Sequence, residues 1–497
     1  MTQSTRPEMI AQFAAAGGLT PGRPSASLGQ LDPFFGYDRQ ATYGVHVETI
    51  QVPMRDGSHL IADLHRPAGP DGRPAPGTFP GIVYDFNAYN YRQVFGGAAD
   101  FFVTRGYVAV VASVRGTGGS PGRLDPFGRQ EQQDSYDLIE WLAVQLFSTG
   151  KVGQTGISYG GHNTMLAAVN QPPHLTAIIP VQAISDWYEN TIYRGGIPNE
   201  KIHEWQAATA PETLDSYPRH PLYDDFWRER SVKVRWDKLT IPVLDVGGWL
   251  DPYRDAMVQN FVARQENVWM VAGPWEHGMI PGQPEDIASA GYLAWWDHWL
   301  ADMPAPLPKA KVTSYEMPCP GVGRGWRQFS TWPPVESKRL SWLLSAGGVL
   351  GTTAQEPTTA TFEANVGRLS FDTSPLEHDL VVVGGNEASL RVAFTAEDGN
   401  IAIVLEDIDE DGVGTRITNG WLKASHRDGH EQLAPVTPGT FHSLTVQVWP
   451  NHYRIVAGHR LRLTVSSDDS PLIETEALAG KVFVELGTSR FDCRVMP

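Results

Sequence analysis

Cysteine is nearly absent from this chain: Cys319 and Cys493 are the two such residues among 497. That excludes a disulfide framework and a cysteine-rich zinc site. Two reduced, packed thiols are expected rather than one bridge. Cations are also scarce, with 39 Lys and Arg against 56 Asp and Glu, a formal net charge of −17. Nucleic acids are held by clustered Lys and Arg, so such a partner is not expected, nor is docking on an anionic membrane surface. No apolar run reaches the length of a membrane span. Ile10 to Ala16 is too short and interrupted for the core of a secretory signal. A cytoplasmic location is the expectation.

What is present is length and alternating pattern. A chain of 497 residues exceeds one hydrophobic core and calls for two or three domains. Residues 1–40, rich in Gly, Pro, Ser and Ala, read as an irregular arm. Val45 to Val52 alternates like a strand, and Arg55-Asp56-Gly57 supplies a turn into Leu60 to Leu64. Apolar runs at Gly81–Tyr84, Tyr107–Ala112, Ile241–Val246 and Val268–Ala272 then alternate with helical patterns at Gly97–Arg105 and Ser135–Leu146. Such alternation predicts a mainly parallel sheet covered on both faces, over residues 41–183 and 239–302. Residues 184–238 interrupt the rhythm with aromatics, prolines and short helical stretches, as a helical cap insertion would. After the helical Tyr292–Leu300, Met303 to Pro308 forms a stiff linker. Short strands with turn clusters follow, so residues 303–497 read as an all-β sandwich or jelly roll.

The chemistry gathers around one turn. Gly156-Ile157-Ser158-Tyr159-Gly160 fits Gly-x-Ser-x-Gly, the pattern of a nucleophile on a sharp strand-to-helix turn. The glycines let strand and helix approach without side-chain clashes. The hydroxyl is then presented at a helix N-terminus, whose N–H groups favour developing negative charge. A serine nucleophile needs a base, and the base needs an orienting acid. On such an elbow the chain order is serine, acid, histidine. Asp251 follows the Ile241–Val246 run and His277 follows Val268–Ala272, each just past the carboxyl end of a predicted parallel strand.

Asp255 and Glu276 are rival acids, and His162 and His298 are rival bases. His162 lies four residues beyond Ser158 on the same helix, out of line with an acid arriving from Asp251. His298 sits in an aromatic helical cluster and reads as a packing residue, while Glu276 is adjacent to His277 and points elsewhere. One oxyanion donor is expected from the backbone N–H of Tyr159 and a second from the Asp85–Tyr91 loop. Asp407 to Gly412 begins like a calcium loop, but Thr418 stands where the bidentate Glu belongs, so an acidic hairpin turn is expected. Arg115 to Ser120 lacks the Lys-Ser/Thr ending of a phosphate loop and reads as a loop beside the site. Neither a metal nor a cofactor is expected.

Val52-Pro53-Met54-Arg55-Asp56-Gly57, Arg115 to Ser120, Gly156 to Gly161, Gly273-Pro274-Trp275 with His277-Gly278, and Asp297-His298-Trp299-Leu300 form a recognisable set. Gly420 to Ser425 and His459 to Leu463 extend it into the β region. From about residue 45 to its end the chain resembles the family of cocaine esterase, α-amino-acid ester hydrolases and X-prolyl dipeptidyl peptidases. The resemblance implies an α/β-hydrolase core, a helical cap and a C-terminal jelly roll. It also implies a tyrosine hydroxyl in the oxyanion hole. The family's Asn-Pro-Tyr-like segment maps onto Asn87-Ala88-Tyr89, without the proline, which selects Tyr89 while Tyr84 and Tyr91 stand nearby. Asp251-Pro252-Tyr253-Arg254 lacks the further acids with which the amino-acid ester hydrolases hold a substrate ammonium. The expectation is hydrolysis of a small-molecule carboxylic ester or amide through an acyl-enzyme on Ser158, His277 and Asp251. An acyltransferase or an X-prolyl amidase is the alternative, and association into a homo-oligomer is left open.

Overall fold

The computed structural model describes residues 26–89, 92–278, 288–317, 325–475 and 480–496. Residues 1–25 of the expected arm, Tyr91 and Cys319 lie outside them. Cys493 is a buried free thiol whose pKa burial raises. The chain divides into two compact units, Met1–Ser185 with Glu229–Ser314, and Asp186–Arg228 with Tyr315–Pro497.

The first unit is built on strands β1 (Gly44–Pro53), β2 (His59–Ala68), β3 (Phe79–Tyr84), β4 (Val108–Ala112), β5 (Ser148–Ile157), β6 (Leu175–Val181), β7 (Val243–Gly248), β8 (Val268–Gly273) and the first three residues of β9 (Val312–Glu316). Their order in the sheet is β1-β2-β4-β3-β5-β6-β7-β8-β9. β1 pairs antiparallel with β2, and β2 antiparallel with β4. From β4 to β9 every pairing is parallel. The parallel strands are buried along nearly their whole length, as a sheet covered on both faces requires. Helices α1 (Arg92–Val103), α2 (Arg129–Ala143), α3 (Tyr159–Asn170), α4 (Arg254–Ala263) and α5 (Ala288–Trp299) cover it. The chain crosses from β4 past β3 to β5, so a crevice opens at the carboxyl ends of β3 and β5. This is the α/β-hydrolase core.

Two boundaries differ from the sequence reading. The described part of the arm is ordered: Ala26–Leu31 and Pro33–Gly36 are short helices, and Phe34 and Phe35 are fully buried. The β pattern beyond the proline linker begins one strand too early for a separate domain, because Val312 to Ser314 extend the first sheet along β8. A short alternating strand does not announce which sheet it joins.

In the second unit, Leu380–Phe394 runs antiparallel to His442–Ile455, Lys481–Leu486 and Arg490–Met496. Asn400–Ile408 pairs with Gly414–Lys423 in a hairpin, at whose turn the Asp409 carboxylate accepts from the N–H groups of Asp411 and Val413. That is the acidic turn expected from Asp407 to Gly412. The inserted segment Asp186–Arg228 belongs to this unit. It carries the helix Ile202–Thr209 and sets Arg194 over the rings of Trp421 and Trp449 at 5.3 and 5.2 Å. Lys423 N–H donates to Gly195 C=O at 2.8 Å.

Candidate active site

Ser158 stands between β5 and α3 with φ 58° and ψ −113°, a conformation rare for a residue with a side chain. The strain holds because the surroundings leave no alternative. A Cβ on Gly156 would lie 2.6 Å from the Gly160 carbonyl carbon, and one on Gly160 would lie 2.3 Å from Asp85 Oδ1. Ser158 N–H donates to Val181 C=O on the end of β6 at 2.9 Å.

His277 Nε2 lies 2.9 Å from Ser158 Oγ, and His277 Nδ1 lies 2.7 Å from Asp251 Oδ2. The other carboxylate oxygen of Asp251 accepts from Tyr253 N–H at 2.6 Å, which fixes the plane of this buried acid. Tyr253 also sets its ring edge-on to His277, centroids 5.2 Å apart. The loops after β7 and β8 are tied together, since Trp249 N–H donates to Gly273 C=O and Leu250 N–H to Trp275 C=O. The structure thus brings together the serine, acid and histidine expected from the sequence, each at the carboxyl end of a parallel strand.

The rival histidines are engaged elsewhere. Both ring nitrogens of His162 face backbone carbonyls, of Ile184 and Arg230, at 2.9 Å. His298 Nδ1 faces Ala305 C=O at 3.1 Å and its ring meets Trp299 edge-on. Glu276 is exposed. The Arg115–Ser120 loop spends its polar groups on structure: Arg115 pairs with Asp134 and Asp56, and Arg92 donates to Gly118 C=O.

Tyr159 is the first residue of α3, directly after Ser158 at the helix N-terminus. Its side chain is pinned: the hydroxyl donates to Glu131 Oε2 at 2.7 Å, and Phe127 and Tyr89 pack against the ring at centroid distances of 4.3 and 6.2 Å. Tyr89 is half-buried on the loop after β3, with its N–H donating to Asn87 Oδ1 at 2.6 Å. Tyr84 packs instead against α1, on the cluster of Ala99, Val103, Ala109 and Val111. Of the three tyrosines, Tyr89 therefore meets Tyr159, Tyr84 faces the opposite helix layer, and Tyr91 lies outside the described residues.

Beneath the elbow lies a polar layer that the sequence did not single out. Asp85 Oδ1 accepts from Ile157 N–H at 3.0 Å, and Asn87 Nδ2 donates to the same carboxyl group. Glu131 Oε1 accepts from Asn163 Nδ2 at 2.8 Å. Burial outweighs these donors and raises Asp85 to about 7 and Glu131 to about 8. Asp245 in mid-β7, with Asn260 Nδ2 at 3.3 Å, is likewise raised by burial to about 8. One signal was available for Glu131: it is the glutamate of a polar run, Arg129 to Asp134, leading straight into an apolar helical pattern.

These carboxyls keep their protons in the folded chain to higher pH than in the unfolded one. Their contribution to stability is therefore full below the ordinary carboxylate range and is lost as pH rises through about 7 to 8. Asp245→Asn is expected to flatten the fall of the unfolding midpoint between pH 5 and 8.5, measured by circular dichroism. An unchanged slope would contradict the assignment of a buried, protonated Asp245.

Residues 56–214 and 198–279 match the X-Pro dipeptidyl-peptidase (S15 family) domain, and residues 309–481 match the X-Pro dipeptidyl-peptidase C-terminal non-catalytic domain. The chain belongs to this family of serine hydrolases. Cocaine esterase of Rhodococcus sp. (strain MB1 Bresler) is 24% identical, with 87% of this chain and 92% of that protein covered. Xaa-Pro dipeptidyl-peptidase of Lacticaseibacillus rhamnosus is 22% identical, over 88% of this chain and 68% of that protein. A CocE/NonD family hydrolase from Staphylococcus aureus shares the fold with a TM-score of 0.80 at 19% identity, covering 92% of this chain and 97% of that one. Among the described residues of this S15-family chain no helix is long and apolar enough to cross a membrane.

Proposed function

We propose that the chain hydrolyses a small carboxylic ester through an acyl-enzyme on Ser158. The observation that carries the proposal is the unbroken line from Asp251 Oδ2 through His277 to Ser158 Oγ, with spacings of 2.7 and 2.9 Å. Asp251 holds His277 in the tautomer with Nδ1 protonated, leaving Nε2 to take the serine proton as Oγ attacks the ester carbonyl. The tetrahedral oxyanion receives the Tyr159 N–H and the Tyr89 hydroxyl. His277 then returns the proton to the leaving alcohol, and water, deprotonated by the same imidazole, releases the acid. Each step needs only groups of this chain and water.

One consideration favours esters over amides. An alcohol departs with less protonation than an amine, so the arrangement suffices for esters first. A substrate panel tests this reading. For the wild type, kcat/KM for p-nitrophenyl butyrate is expected to exceed that for an amino-acid p-nitrophenyl ester and for glycyl-prolyl p-nitroanilide. A prolyl anilide turned over faster than the aryl ester would make the enzyme an amidase.

A further inference from the structure

Two consecutive residues at the end of β6 reach both halves of the proton-transfer pair. Val181 C=O accepts the N–H of Ser158 at 2.9 Å. Gln182, the next residue, is 2% exposed and has φ 46°, left-handed backbone in a residue that is not glycine. Its N–H donates to Val246 C=O on β7 at 2.6 Å. Its carboxamide spans the base: Nε2 donates to Glu276 C=O at 2.7 Å, and Oε1 accepts from Gly278 N–H at 2.7 Å. The peptide groups immediately before and after His277 are thus gripped by one side chain.

We infer that Gln182 is the positioning residue for His277, holding the imidazole at hydrogen-bonding distance from Ser158 Oγ. The inference rests on the reading of His277 as the base. The imidazole side chain is 33% exposed, so packing alone does not fix it. Asp251 and Tyr253 hold the ring, whereas Gln182 holds the backbone from which the ring projects. β6 therefore carries a common support, with Val181 on the nucleophile and Gln182 on the base, and the gap between them is set by adjacent residues of one strand end. A carboxamide is suited to the task because it offers a donor group and an acceptor group side by side without charge. Transfer across a 2.9 Å gap is sensitive to displacement of the base.

The distinguishing variant is Gln182→Glu. A protonated glutamic acid has the same donor and acceptor, whereas a carboxylate has no donor and sets its charge against Glu276 C=O. Other ionisable groups on the elements that meet here are His277 and Glu276 on the loop, Asp245 within β7 with Asp251 and Tyr253 after it, and Tyr159 and His162 on α3. All are present in the wild type, so the ratio of Gln182→Glu to wild-type kcat isolates the new acid. With p-nitrophenyl butyrate that ratio is expected to fall reversibly from near one at about pH 6 to the Gln182→Ala level at about pH 9. Gln182→Ala itself is expected to lose about 10- to 100-fold in kcat with KM little changed. A Gln182→Glu ratio independent of pH, whether near one or uniformly low, would overturn the inference even if Gln182→Ala failed to fold. Ser158→Ala, run alongside, keeps the two claims apart. If wild type turned over no faster than Ser158→Ala, the hydrolase reading would fail, whereas a clear wild-type excess with a flat Gln182→Glu ratio rejects only the role of Gln182.

Discussion

Ser158→Ala is expected to lower kcat/KM for an aryl ester by about 10⁴- to 10⁶-fold. Oγ forms a covalent bond that exists only beyond the ground state, so the loss falls on kcat, with KM little changed. What survives is the contribution of binding and of the oxyanion donors, which the substitution leaves in place. His277→Ala should cost a similar factor, because Oγ without its base is a weak nucleophile at neutral pH. The double variant should be scarcely worse than either single one, since residues acting as one unit are not additive. Asp251→Asn keeps the geometry but offers a donor where His277 Nδ1–H needs an acceptor, and is expected to cost about 10⁴-fold. Steady-state kinetics on the four proteins checks the set. A double variant whose loss equals the product of the single losses would contradict a shared mechanism.

The second large effect is on stability and lies away from the site. Asp297, fully buried on α5, accepts from Tyr37 Oη at 2.9 Å, Arg39 Nε and Nη2 at 2.7 Å each, and Tyr107 Oη at 2.5 Å. One carboxylate therefore joins the N-terminal segment, the residue before β4 and α5. Burial and Asp297 together push the Tyr37 hydroxyl up to about 12. Asp297→Ala leaves two phenols and a guanidinium without their shared acceptor; because the Arg39 side chain is 24% exposed and keeps its bond to Arg105 C=O, the expected cost is about 3 kcal/mol, the low end for breaking a buried ion pair. Tyr107→Phe, which deletes one donor and leaves the acceptor otherwise satisfied, should cost about 1 kcal/mol. Chemical denaturation followed by tryptophan fluorescence should show the first unit of Asp297→Ala unfolding well before that of the wild type. Equal midpoints would remove Asp297 from the account of how this unit is held together.

Ser158, His277 and Asp251 were readable because each has a local signature. The elbow needs glycines where strand and helix touch, and Asp251 and His277 follow short apolar runs that read as buried strands. The Gln182 carboxamide has no such signature. It is one polar residue after an apolar strand, and its meaning comes from a loop 94 residues further on. Helix α2 begins six residues before the apolar periodicity does, because Glu131, Gln132 and Asp134 are buried as polar partners rather than as core. A pattern search for apolar spacing passes over such residues. His298 and Asp297 make the same point together: they are neighbours on α5, yet one packs and the other is the hub of a buried network. The inserted segment was readable as an interruption, but its aromatics do not declare which unit they join. Arg194 between Trp421 and Trp449 shows the answer only in three dimensions.

The most direct test of the central claim is covalent labelling with diisopropyl fluorophosphate, followed by peptide mapping in a mass spectrometer. The account predicts one phosphoryl adduct per chain, on the peptide containing Ser158, with loss of esterase activity in step with labelling and no adduct on Ser158→Ala. An adduct on another serine that tracks the loss of activity, or an unlabelled Ser158 in inactivated protein, would contradict it.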